Sequence, residues 1–178
     1  MKRSFLIMAF MIVIIILNAT ERVPIYSSQY LEYDGNGLTL SNGDFLFFTN
    51  ASTKNGLNVI MNRVSVNGTN VNSEPLNITN VPGDEYIMQQ VVSSDNCLIF
   101  TYKYTNPLLP DDVNEIYIQK VTLNGEPLWG EMGINISIVN YCPYILSPNN
   151  YGGAYVTYVR GYNEPKLYGW NFDAQGNN

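Results

Sequence analysis

Apolar residues in this chain come in short bursts, and no long window repeats them at helical spacing. Runs of Val, Ile, Tyr, Phe and Thr are separated by clusters of Asn, Gly, Asp, Ser and Pro, which is the grammar of strands and turns. Past Thr20, apolar positions do not recur at i, i+3, i+4 and i+7, so no amphipathic helix is expected. One segment occurs three times, as Asn58 to Gly68, Ile116 to Gly125 and Leu167 to Gly176. Its closing glycines, Gly68, Gly125 and Gly176, stand 57 and 51 residues apart. Self-similarity at a period of about 50 residues predicts a repeat architecture.

In register, the units share an order of elements. The first strand is Gln29 to Tyr33, Tyr86 to Val92 and Pro143 to Ser147. The second is Asp44 to Thr49, Cys97 to Tyr102 and Ala154 to Val159. A loop of variable length leads to the recurrent third strand, and a short fourth is expected at Glu74 to Thr79 and Glu126 to Ser137. The second strands are apolar on consecutive residues, as in Phe45, Leu46, Phe47 and Phe48, or Leu98, Ile99 and Phe100. Such a strand must be covered on both faces, and a sheet lying between two similar sheets meets that need. Four antiparallel strands per unit, packed face to face around an axis, describe propeller blades. The expectation is therefore an all-β chain forming a partial, open β-propeller of about three four-stranded blades: residues 29–80, residues 84–138 and an incomplete third blade over residues 141–178.

The stretch Ile116 to Ser137, with Gly125 and Trp129 inside it, resembles a repeat common in secreted bacterial β-propeller proteins. That pattern reads I-Y-x-Q-x-apolar-x-x-x-G-x-x-x-W-x-x-x-G-apolar-x-apolar-S, followed by a proline-bearing strand and a Gly-Gly turn, here Pro143 and Gly152-Gly153. The likeness covers most of residues 29–178 and is close in the second and third units; the first lacks the Trp and the Gly-Gly. It implies a surface-exposed, multi-modular protein and names no chemistry. A propeller needs four to eight blades to close, so the chain reads as a fragment of a larger one.

Ahead of the repeats, residues 1–20 read as an export signal. Lys2 and Arg3 precede an unbroken apolar run from Phe5 to Leu17, and Ala19 offers a small residue for cleavage. The run is about 13 residues, roughly 20 Å as a helix, against a hydrocarbon core of roughly 30 Å. An uncleaved membrane anchor is the alternative, and the membrane is expected to be met only through this segment. The expected location is secreted, periplasmic or cell-surface. Sequons begin at Asn18, Asn50, Asn67, Asn77 and Asn135 in a chain rich in Asn.

Composition then narrows the chemistry. With 46% hydrophobic residues and 14 Tyr the chain can bury a core. Net charge is −6, with 9 basic and 15 acidic residues, so a nucleic-acid backbone would be repelled. Histidine is absent, which removes the commonest general base and metal ligand. No phosphate-binding glycine loop precedes a helix; Gly35-Asn-Gly37 and Gly152-Gly153 read as turns. Asp111, Asp112 and Glu115 are hard-oxygen candidates for calcium, although a solvated acidic loop is the simpler reading. Asp34, Asp84 and Glu85 read as turn residues. Export would permit a Cys97–Cys142 disulfide, with two separate buried thiols as the alternative. Trp129, Trp170, Tyr155, Tyr158, Tyr168, Tyr102 and Tyr104 supply either packing or stacking platforms for sugar rings. The functional expectation is a non-enzymatic binding or scaffolding protein without a cofactor, for an extracellular glycan or protein. The competing expectation is the N-terminal part of a carbohydrate-active or quinone-dependent secreted enzyme.

Overall fold

The computed structural model describes residues 32–108, 114–136, 143–161 and 164–178. The segment read as an export signal lies outside them. No helix among the described residues is long and apolar enough to cross a membrane. The described chain is all-β, in three antiparallel sheets that follow one another in sequence. Sheet 1 holds β1 (Glu32–Thr39), β2 (Phe45–Thr53), β3 (Gly56–Val64) and β4 (Leu76–Asn77). Sheet 2 holds β5 (Asp84–Val92), β6 (Leu98–Thr105), β7 (Asn114–Val121) and β8 (Ile134–Asn135). Sheet 3 holds β9 (Tyr144–Pro148), β10 (Ala154–Arg160) and β11 (Lys166–Phe172). Every strand pairs with its neighbour in sequence, so each sheet is a meander.

The sheets stack through the consecutive apolar runs. In β6, Leu98, Phe100, Tyr102 and Tyr104 face sheet 1 and join one buried cluster with Leu46, Phe48, Val59 and Met61. The intervening Ile99 faces the other way, clustering with Ile116 and Ile118 of its own sheet and Leu146, Val156 and Phe172 of sheet 3. Sheet 2 is thus dry on both sides. Each fully buried Phe or Leu contributes roughly 1.5–3 kcal/mol of burial, so both junctions rest mainly on apolar contact.

Two turns recur. The first closes β1–β2, β5–β6 and β9–β10, with Leu40 N, Ser93 N and Asn149 N donating to Asp44 O, Cys97 O and Gly153 O. The second follows the third strand of each sheet. Ser65 N, Thr122 N and Asp173 N donate to Thr69 O, Glu126 O and Asn177 O, and Gly68, Gly125 and Gly176 close it at φ of 79°, 84° and 86°. Only glycine takes that conformation without a Cβ penalty. A Cβ on Gly125 would also lie 3.3 Å from Leu76 Cβ of sheet 1. We expect Gly125→Ala to cost about 1–2 kcal/mol, read as a lower urea midpoint with an unchanged slope.

Several expectations need correction. Gly35 and Gly37 lie within β1, not in a turn, and the rings of Phe47 and Phe45 occupy the space a Cβ would need, at 2.8 and 2.2 Å. The first strand of sheet 1 is therefore Glu32–Thr39, later than expected, and Asp34 falls at a register shift in it. Glycine is tolerated there because a cross-strand aromatic covers the bare backbone. Glu85 is a strand residue, fully buried. The loop after β2 shrinks to two residues, because β2 runs on to Thr53. The fourth strands are only two residues each. The sequon residue Asn50 is buried in β2, its Oδ1 accepting from Ile87 N.

Candidate functional site

The repeat places a cation at one recurrent point, five residues before the closing glycine: Arg63 in β3 and Lys120 in β7. Both sit where two sheets meet at the turn-bearing end, and they behave differently. Lys120 is fully buried, its side chain 2% exposed. Its Nζ donates to Asp95 Oδ2 at 2.5 Å, to Gly152 O at 2.7 Å and to Ala174 O at 3.4 Å. Asp95 belongs to the β5–β6 turn of the same sheet; the two carbonyls belong to turns of sheet 3. Ser94 Oγ accepts from Gly152 N at 2.9 Å. Burial raises the Asp95 carboxyl, but Lys120 and the Ser93 hydroxyl outweigh it and hold the group below the usual carboxylate range. This junction is closed by its own lysine.

Trp129 completes the same closure. It is buried, its Nε1 donates to Ala174 O at 3.0 Å, and its ring lies 5.8 Å from that of Phe172. Trp129 is thus an inter-sheet packing residue, and Gly176 passes beneath it, a Cβ there falling 3.0 Å from the indole.

Between sheets 1 and 2 the corresponding arginine turns back. Arg63 donates from Nε at 2.9 Å and Nη2 at 2.6 Å to Asp44 Oδ2, within its own sheet. Asn42 Nδ2 donates to the same oxygen, and Val66 N donates to Oδ1. The Arg63 guanidinium, with Asn42, holds the Asp44 carboxyl below its ordinary value. The junction stays open as a cleft of about 440 Å³. Leu40 and Val92 give it an apolar part, and Ser41, Arg63, Ser94 and Asn96 line it with polar groups.

A polar seam runs between the same two sheets. Thr79 Oγ1 accepts from Val59 N at 2.8 Å and donates to Glu85 Oε2 at 3.0 Å. Glu85 Oε1 is buried with no hydrogen-bond partner. Burial pushes this carboxyl up to about 7, against the opposing hydrogen bonds of Thr79 and Val81. The Tyr102 hydroxyl is raised in turn by burial and by the nearby Glu85.

The residues singled out in the sequence fall as follows. Asp111 and Asp112 lie outside the described residues. Glu115 accepts from Asn135 Nδ2 at 3.1 Å and from the Tyr117 hydroxyl at 3.3 Å, and no metal-ligating cluster occurs among the described residues. Cys97 is a half-buried free thiol, raised by burial; Cys142 lies outside the described residues. Tyr102 and Tyr104 are core residues. Tyr158 stacks on Trp170 at 4.9 Å and on Tyr168 at 5.5 Å, and Tyr155 points out on the other face of sheet 3. Lys120 and Arg63 were not visible as functional positions, since their partners are distant in sequence; Glu85 was not, because its burial follows from strand register. No protein-family model matches the chain, and no curated protein is significantly similar to it.

Proposed function

We propose that the chain is part of an exported, surface-displayed β-propeller whose role is binding or scaffolding, not turnover. The observation that carries this reading is the middle sheet, hidden on both faces between neighbours of the same strand order and the same turns. Radial stacks of such sheets present their loops and turn-edge clefts on a rigid frame, where recognition is placed. The outward face of sheet 3 supports continuation of the stack: Ile145 and Leu167 are 65% and 74% exposed, at a face whose counterpart on sheet 2 is covered. The carboxylates described above serve structure, and the sequence has no histidine.

Export is tested by expressing the gene with a C-terminal tag and weighing the exported product. The expected mass lacks the first 19 or 20 residues. A full-length mass confined to the cytoplasm overturns export. A screen for hydrolase and quinone-dependent oxidoreductase turnover on the same product tests the role, and turnover abolished by a substitution within residues 32–178 overturns it.

A further inference from the structure

The molecule contains its own comparison: one kind of junction occurs twice, once sealed by Lys120 and once left open at Arg63. At the open junction the hydrogen-bonding count is one-sided. Both Asp44 oxygens are taken, by Arg63, Asn42 and Val66. Asp95, on the far side of the cleft-forming turn, is taken by Ser93 and Lys120. Asn42 Oδ1 accepts from Asp44 N. What remains facing the cleft includes the donors an anion needs, on hydroxyl and amide groups that can also accept. Arg63 uses Nε and Nη2, leaving its Nη1 amino group unengaged among the described residues. Ser41 is exposed, Ser94 Oγ accepts from Gly152 N and keeps its own O–H to give, and Asn96, whose backbone N–H is taken by Ser93 O, lines the same space.

A cavity whose carboxylates are saturated, and whose hydroxyl and amide groups can present N–H and O–H donors around a guanidinium, fits an oxyanion. Asn96 adds a turn held at φ 61°, which fixes one wall. We propose that the cleft between sheets 1 and 2 is an anion site, taking a carboxylate or phosphate group against Arg63 Nη1 with Ser41, Ser94 and Asn96 around it. The Leu40–Val92 side accommodates an apolar portion of the same ligand. The assignment needs neither export nor a propeller, so it stands or falls separately from the reading above. Against an acidic protein the affinity is modest and weakens as salt rises.

The test uses the full chain labelled with nitrogen-15, titrated with sodium acetate and, separately, sodium phosphate, each against sodium chloride at matched ionic strength. The expected result is a saturable shift of the Arg63 side-chain signals and of the Ser41, Ser94 and Asn96 amides, with a dissociation constant on the order of a millimolar. Arg63→Gln should weaken binding at least about tenfold, a loss of about 1.4 kcal/mol. Should that variant fail to fold, Ser41→Ala, which removes an exposed hydroxyl and leaves the Arg63–Asp44 pair in place, should weaken it about threefold with the remaining spectrum unchanged. Stronger acetate binding identifies a carboxylate ligand and stronger phosphate binding a phosphate ligand. Shifts no larger than chloride produces, or saturable binding undiminished in both variants, overturn the proposal.

Discussion

Replacing Lys120 by Met is expected to lower the stability of the protein by about 2 kcal/mol, read from urea unfolding. The effect does not come from the ion pair, because Asp95 has a side chain 43% exposed and such a pair is screened to about 1 kcal/mol or less. It comes from what the ammonium leaves behind. Gly152 O loses its donor in a site that the lysine itself keeps dry, at about 1–3 kcal/mol for an unsatisfied buried group before relaxation, while Ala174 O keeps the Trp129 indole N–H. The Met thioether fills much of the volume, so cavity formation adds little. Adding Asp95→Asn should change little further, since its partner is already gone. Asp95→Asn alone should cost about 1 kcal/mol or less; a loss as large as that of Lys120→Met, with nothing further lost in the double variant, would place the energy in the ion pair and contradict this account.

A second large effect is a rise in stability on mild acidification. The buried Glu85 carboxyl has its proton affinity raised from 4.5 to about 7 by desolvation. An acid whose folded value is raised binds its proton more tightly in the native state. Stability is therefore fully present below about pH 4.5 and declines as pH rises through about 7. The shift corresponds to about 2–3 kcal/mol lost between pH 4.5 and pH 8. The carboxyls of Asp44 and Asp95 run the other way. Both are held below 3.8, so their contribution is present at neutral pH and disappears under strong acid. Together they place the maximum at about pH 4–5. Denaturant midpoints measured from pH 3 to pH 9 should show this peak, and Glu85→Gln should abolish the alkaline decline while leaving the acid limb. A flat profile above pH 5 in the unsubstituted protein would sink the assignment.

Much of the fold was legible because its signals are local. Consecutive apolar residues at Leu98, Ile99 and Phe100 stated that both faces of that strand are covered, and Phe48 and Val156 lie on the two sides that cover it. The closing glycines announced a turn that only a left-handed residue completes. Errors arose where a residue's usual habit was overruled by a neighbour brought near in space. Gly35 and Gly37 look like turn formers until the rings of Phe47 and Phe45 are laid over them. Glu85 follows Asp84 in a polar-looking pair, yet its strand register directs it beside Tyr104 and into the seam. The junction chemistry was illegible for a related reason. Lys120 meets Asp95, Gly152 and Ala174 across 25, 32 and 54 residues, and two of those partners act through main-chain oxygens that no residue type advertises.

Recognition through main-chain oxygens bears on how such an array changes over generations. Lys120 and Trp129 both grip the following sheet by its carbonyls, at Gly152 and Ala174. A carbonyl is present whatever amino acid carries it. A duplicated neighbour can thus drift far in composition and still be held, provided its turns keep their shape, so kinship between units should fade from the letters well before it fades from the architecture.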